Sequence, residues 1–279
     1  MNVVATRADL AAARAQMKGR TAVVMSLGAL HDGHRALMRL ARAAADDVIV
    51  TIFVNPLQFG ANEDLDKYPR TFDEDVAVCE SEQVDLVFAP TPDVVYPETP
   101  LVRVSAGPLG DVLEGRTRPG HFDGVLTVVA KLLHLTRPDV TFFGEKDAQQ
   151  LALVRRMVKD LDFDVEVVDV ATVREPDGLA MSSRNRYLSP GERDAALAIS
   201  RALRAGKDAA PQGPDAARNA AEAVLVEEKR LRVDYVVLVD PDTLEALDRS
   251  HERALLAVAA WSGSTRLIDN VTISVGHPA

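Results

Sequence analysis

Short β-branched runs alternate with segments of helical period through the first two thirds of the chain. That alternation restricts the fold to β-α-β units around a parallel sheet. The pattern predicts strands over 21–27, 47–54, 86–89, 140–143 and 165–170, with helices over 35–45, 71–83, 122–135 and 147–160 between them. The 47–54 run, DVIVTIFV, is apolar nearly throughout, as a strand covered on both faces must be. Thr71 with Glu74 three residues later forms a capping-box signature opening the third helix. Segments 55–70 and 90–121 fit neither period. The second contains Pro90, Pro92, Pro97, Pro100, Pro108 and Pro119, and long ordered loops of this kind often carry function. Beyond residue 173 the character changes to a loop, an Ala-rich helical region broken at 211–214, and strand-like runs at 235–239, 255–261 and 267–275. The expected architecture is α/β: a doubly wound parallel sheet over 1–175, then a smaller α+β domain over 176–279.

Composition narrows the function. The chain has 279 residues with 32 Lys and Arg against 42 Asp and Glu, a net charge of −10. This argues against a broad electrostatic grip on nucleic acid or anionic lipid. The single cysteine, Cys79, cannot form an internal disulfide and is expected to be a core residue. The start of the chain shows no charged segment followed by an apolar one, and the apolar run at 254–261 is far short of the ~20 residues that span a bilayer. The expectation is a cytoplasmic protein with no membrane or nucleic-acid partner.

Three turns carry the chemistry. The first, Leu27-Gly28-Ala29-Leu30-His31-Asp32-Gly33-His34, lies between the first predicted strand and its helix. A loop at the carboxyl end of a parallel strand faces the ligand crevice, and the helix that follows offers free backbone N–H groups to an anion. His31 and His34 can converge on phosphate and donate to charge developing there. The second turn, Gly144-Glu145-Lys146-Asp147, again joins strand to helix; Lys146 supplies a point charge and Asp147 or the Gly144 backbone can meet a ribose hydroxyl. The third, Met181-Ser182-Ser183-Arg184, sets two hydroxyls and a guanidinium side by side as a phosphate clamp. Gln58 and Gln150 add neutral amides that both donate and accept, suited to a small polar substrate.

Each of these taken singly also has an ordinary reading: helix-start histidines, a solvated charged turn, a common tripeptide. Two such junctions in one sheet weaken that reading. No Gly-x-Gly-x-x-Gly follows the first strand and no P-loop is present; no third ligand of convincing spacing makes a zinc site of His31 and His34.

Together the His31-Asp-Gly-His34 element, the run from Phe53 to Thr71, the segment from Phe142 to Gln150 and the stretch from Asp177 to Leu188 closely resemble the pantoate–β-alanine ligase (pantothenate synthetase) family. The likeness runs in order from about Thr21 to Pro190, and is looser beyond, mainly at Thr265-Arg-Leu-Ile-Asp-Asn270. It implies a Rossmann-like fold of the nucleotidyltransferase and class I synthetase type, a homodimer, and ATP and Mg2+ as requirements. It implies a two-step reaction as well: the pantoate carboxylate attacks the α-phosphorus of ATP to give pantoyl adenylate and pyrophosphate, and the β-alanine amine then displaces AMP. Carried over by position, 27–34 line the ATP site; Gly144, Glu145, Lys146 and Asp147 hold ribose and phosphate. Val173 meets adenine through its backbone, and Met181, Ser182, Ser183 and Arg184 close over the phosphates. Gln58 and Gln150 bind pantoate, and His34, His31, Lys146 and Arg184 carry the catalysis. His34 is usually assigned as proton donor, but release of pyrophosphate requires no proton, so stabilising charge on the pentacoordinate phosphorus describes its task better. This chain has Met25-Ser26-Leu27-Gly28 where the family pattern usually reads Pro-Thr-Met-Gly. Ser26 keeps the hydroxyl, and loss of the proline is expected to loosen the strand end. The alternative activity is that of a small-molecule nucleotidyltransferase of the HxGH type, which joins a phosphorylated small molecule to a nucleotide monophosphate.

Overall fold

The computed structural model describes residues 1–60, 65, 68–248 and 251–276. Part of the 55–70 segment therefore lies outside the described residues. The chain forms two compact units, Met1–Gly144 with Leu153–Val170, and Glu145–Ala152 with Ala171–Ala279.

The first unit is the doubly wound sheet. Strands β1 (Asn2–Val4), β2 (Thr21–Ser26), β3 (Asp47–Ile52), β4 (Leu86–Phe88), β5 (Val140–Gly144) and β6 (Glu166–Val170) lie in the order β1-β4-β3-β2-β5-β6, and their pairings are parallel. Helices α1 (Arg7–Gln16), α2 (Asp32–Ala44), α3 (Phe72–Ser81), α4 (Pro92–Val95), α5 (Glu114–Thr117) and α6 (His121–Thr136) belong to this unit. Ala22, Val24, Val48, Val50 and Val87 from the central strands pack with Leu37, Met38 and Ala41 of α2, and the alternate residues Val23, Ile49, Leu86 and Phe88 are buried as well, which explains why the middles of these strands are apolar on both faces. From β2 the chain moves outward through β3 to β4, then returns to the other side of β2 for β5 and β6. The winding reverses between β2 and β5, and the ligand crevice of such sheets lies outside the carboxyl ends of the strands at that point.

Three differences from the sequence pattern have physical causes. Strand β1 was not expected, because three residues at a sheet edge give too short a run for a period to show. Helix α2 starts at Asp32 rather than 35, since His31 caps it. The capping box expected at Thr71 and Glu74 does not form: Thr71 makes no side-chain cap, and its hydroxyl turns to Asp75 Oδ1 at 3.3 Å.

In the second unit α7 (Ala148–Asp160) begins, running on into the first, and is preceded by a 3-10 turn over Glu145–Asp147. Helices α8 (Pro190–Ala209) and α9 (Pro214–Glu227) pack with an antiparallel sheet of β7 (Leu231–Val239), β8 (Arg253–Ser262) and β9 (Thr265–Ser274). Small residues make this core: Ala195, Ala198, Ala202 and Ala221 bring the helices close to Ala254, Leu256 and Val258. The α+β character of the C-terminal part is as expected. Among the described residues no helix is long and apolar enough to cross a membrane.

Candidate active site

The turn after β2 is held from beneath. Gly28 has φ +93° and Ala29 φ +52°, left-handed values that cost an alanine about 1 kcal/mol. The carboxylate of Asp75, buried at 2% exposure, accepts from Ala29 N at 3.0 Å and Leu30 N at 2.7 Å. Ser26 Oγ accepts from Gly28 N at 3.0 Å, and β2 stays in register with β3 through Ser26. The Ser26 hydroxyl thus closes the turn.

His31 and His34 cap α2 reciprocally. His31 Nδ1 accepts from Gly33 N, and His34 Nδ1 accepts from His31 N, both at 3.2 Å, with ring centroids 4.1 Å apart. An Nδ1 that accepts carries no hydrogen, so each ring's hydrogen is on Nε2, and both rings present Nε2–H as a donor. A Cβ on Gly33 would sit 2.9 Å from the His31 ring, so glycine is what lets the ring fold over its own helix. This revises the sequence expectation of free backbone donors. The N–H groups of Ala29 and Leu30 serve Asp75, Gly33 N serves His31 Nδ1, and His34 N bonds His31 O at 2.8 Å. Those four amides are engaged within the turn and its supports. Asp32 is exposed and lies 3.6 Å from Arg35, and Leu30 is in the core.

Gln58 ends a 3-10 turn, Pro56–Gln58, with its Oε1 accepting from Asn55 Nδ2 at 3.0 Å. Asn55 is fully buried; it also donates to Gly124 O and accepts from Tyr96 Oη, each within 3.1 Å. His121 Nδ1 lies 2.8 Å from Gln58 O, and Arg118 reaches the same carbonyl at 3.4 Å. Asn55, Arg118 and His121 were not singled out from the sequence. The signal available was their place within the two segments that lacked periodicity.

In the second unit Lys146 lies on the 3-10 turn after β5, its Nζ 3.4 Å from Asp147 Oδ1. Gln150 is half-buried on α7. Val173 and Met181 join through Met181 N to Val173 O at 2.9 Å, closing a hairpin with an Arg174–Ala180 bridge. Ser182 then caps a 3-10 turn over Ser183–Tyr187 by accepting from Arg184 N. One cavity is lined by Lys146, Ser182, Arg184, Asn185, Arg266 and Asp269, so the second and third turns share a pocket. Asn185 Oδ1 is buried there without a partner among the described residues, an acceptor available to a ligand's donor. A groove of about 510 Å³ in the first unit, between Arg137 and Phe163, lies at the amino ends of β5 and β6 and holds none of these residues.

Among the described residues no group of three or more His, Cys, Asp or Glu side chains is arranged to hold a metal ion.

A sheet of this winding, with paired imidazoles at the carboxyl end of β2 beside the switch point, defines a doubly wound α/β protein with a candidate ligand site at that end. The family model described as pantoate-beta-alanine ligase matches residues 2–272, and the chain belongs to that family. Similar proteins include the pantothenate synthetase of Salinispora arenicola, 58% identical with 98% of each chain covered, and that of Thermobifida fusca, 57% identical over 98% of this chain and 96% of that protein. Among solved structures, pantothenate synthetase from Thermus thermophilus matches with a TM-score of 0.92 at 47% identity, covering 97% of this chain and 99% of that one. A pantoate-beta-alanine ligase from Francisella tularensis, complexed with beta-gamma ATP and beta-alanine, matches with a TM-score of 0.81 at 32% identity, covering 97% of both.

Proposed function

We propose that the protein condenses pantoate with β-alanine using ATP, through pantoyl adenylate, releasing pyrophosphate and AMP. The observation that carries this reading is the reciprocal histidine cap, which fixes two Nε2–H donors at the switch point of the sheet. In the first step a pantoate carboxylate oxygen forms a bond to the α-phosphorus as the bond to the bridging oxygen of pyrophosphate breaks. The imidazole donors of His31 and His34 stabilise charge on the phosphorus without transferring a proton. Lys146 and Arg184, with the Ser182 and Ser183 hydroxyls, grip the triphosphate; residues 27–34, Gly144, Glu145, Asp147, Val173 and Met181 complete the nucleotide site. Gln58 and Gln150 hold pantoate. Arg118, a cation beside Gln58, is suited to a substrate carboxylate. In the second step the β-alanine amine attacks the acyl carbon, loses a proton and expels AMP, a far better leaving group than oxide. Mg2+ neutralises the phosphates and enters with ATP as part of the substrate.

The experiment is isotope exchange. Labelled pyrophosphate enters ATP only when pantoate is present, and pantothenate forms only when β-alanine is added. Exchange that ignores pantoate but follows a phosphorylated small molecule identifies a nucleotidyltransferase instead. A homodimer in the cytoplasm is the assembly and location proposed, supported by the family likeness; light scattering reads the first directly.

A further inference from the structure

The Thr265–Asn270 segment has no part in the mechanism above, yet its last two residues reach both phosphate-directed elements of the second unit. Asn270, on β9 and 8% exposed, donates from one Nδ2 group to two carbonyls of the lysine turn, Glu145 O at 3.0 Å and Lys146 O at 2.8 Å. These acceptors lie 125 and 124 positions away in sequence. Its neighbour Asp269, 4% exposed, accepts from both terminal nitrogens of Arg174 at 2.6 and 3.1 Å and from Asn270 N at 2.8 Å. Arg174 is in the hairpin whose far strand leads into Ser182–Arg184, and it also donates to Gly178 O at 3.2 Å. Adjacent residues of one strand therefore tie down the turn that carries Lys146 and the hairpin that delivers the serine–arginine segment.

We propose that Asn270 and Asp269 are positioning residues for adenylate formation, Asn270 setting Lys146 and Asp269 setting the Ser182–Arg184 segment through Arg174. The proposal rests on the reading that Lys146 serves the triphosphate. The chemistry of the contacts favours it. Both amide hydrogens of a nearly buried side chain go to consecutive carbonyls, which fixes a short turn in rotation as well as position. A bidentate guanidinium–carboxylate pair does the same for the hairpin. A charge that must meet a phosphate in one geometry loses rate steeply when its support shifts, about 100-fold for a displacement near 1 Å.

The test uses the full chain and pantoate-dependent pyrophosphate exchange at varied ATP. Asn270→Ser, which removes the two donors, is expected to lower kcat/KM for ATP by roughly 10- to 100-fold while KM for pantoate is retained. Placed on Lys146→Ala, the same substitution is expected to change the residual rate by less than about twofold, because it acts through the lysine that is already gone. A lowered melting temperature with unchanged kcat/KM for ATP overturns the proposal, as does an effect that multiplies fully with Lys146→Ala. Should Asn270→Ser not fold, Asp269→Asn keeps the side-chain shape and weakens the Arg174 pair; loss of kcat/KM for ATP supports the proposal and parent-like kinetics overturn it. If Lys146→Ala itself exchanges like the parent, the assignment of Lys146 falls and the proposal falls with it, an outcome distinct from failure of Asn270 alone.

Discussion

The carboxylate of Asp75 accepts from the backbone N–H of Leu30 at 2.7 Å, across 45 positions of sequence, and from Ala29 N at 3.0 Å. A helix on one side of the sheet thereby fixes the turn that carries both histidines. Asp75→Ala leaves two backbone N–H groups buried without acceptors, at about 1–3 kcal/mol each. The melting temperature is expected to fall by roughly 5 °C or more, with loss of pyrophosphate exchange. Parent-like exchange in this variant would show that the turn holds itself.

Gly124 of α6 lies against the turn that carries Gln58. A Cβ there would fall 2.1 Å from Leu57 O and 2.7 Å from Gln58 Cα, too close for any side chain without displacement of that backbone. Gly124→Ala is expected to raise KM for pantoate by roughly tenfold, the scale of a misplaced substrate-positioning group, while KM for ATP stays near the parent value. Steady-state kinetics with each substrate varied in turn checks the split.

Much of this was legible in the sequence, and what was not has identifiable reasons. β2 and β3 announced themselves because both of their faces are buried, leaving no polar alternation. The histidine turn, the lysine turn and the serine–arginine segment were visible as short motifs at strand ends. The supports beneath them were not. Asp75, Asn55, Asp269 and Asn270 act on residues distant in sequence, and a lone acidic or amide side chain has no local pattern that marks it as buried. Thr71 and Glu74 mimicked a capping box because the spacing alone does not reveal that the threonine hydroxyl is taken by Asp75. Asp75, the residue that takes this hydroxyl, is the one that accepts from the histidine turn.

Burial pushes the Cys79 thiol up to about 12, with the nearby Asp75 charge adding to the effect. The native protein is expected to resist thiol reagents at pH 8 and to react fully once guanidinium unfolds it. Rapid labelling of the folded protein would show that α3 opens readily.

The guanidinium of Arg230 donates to both oxygens of Glu228, at 2.8 and 2.7 Å, and holds that carboxyl down to about 2 from its usual 4.5. A depressed acid contributes stability above its unfolded value and loses it as pH falls toward the folded one. The contribution is therefore present at neutral pH and disappears between about 4.5 and about 2. In Arg230→Gln the carboxyl is expected to titrate near its ordinary value, read by NMR on the Glu228 side chain, and the pH dependence of melting in that window is reduced.

The proposed function requires the histidine turn and the lysine turn to serve one triphosphate during attack by pantoate. Pantoate-dependent exchange of labelled pyrophosphate into ATP, measured for His34→Ala and Lys146→Ala beside their melting temperatures, tests it most directly. The account predicts that both variants remain folded and that each keeps only a small residual rate of exchange. Near-parent exchange in either one would contradict it.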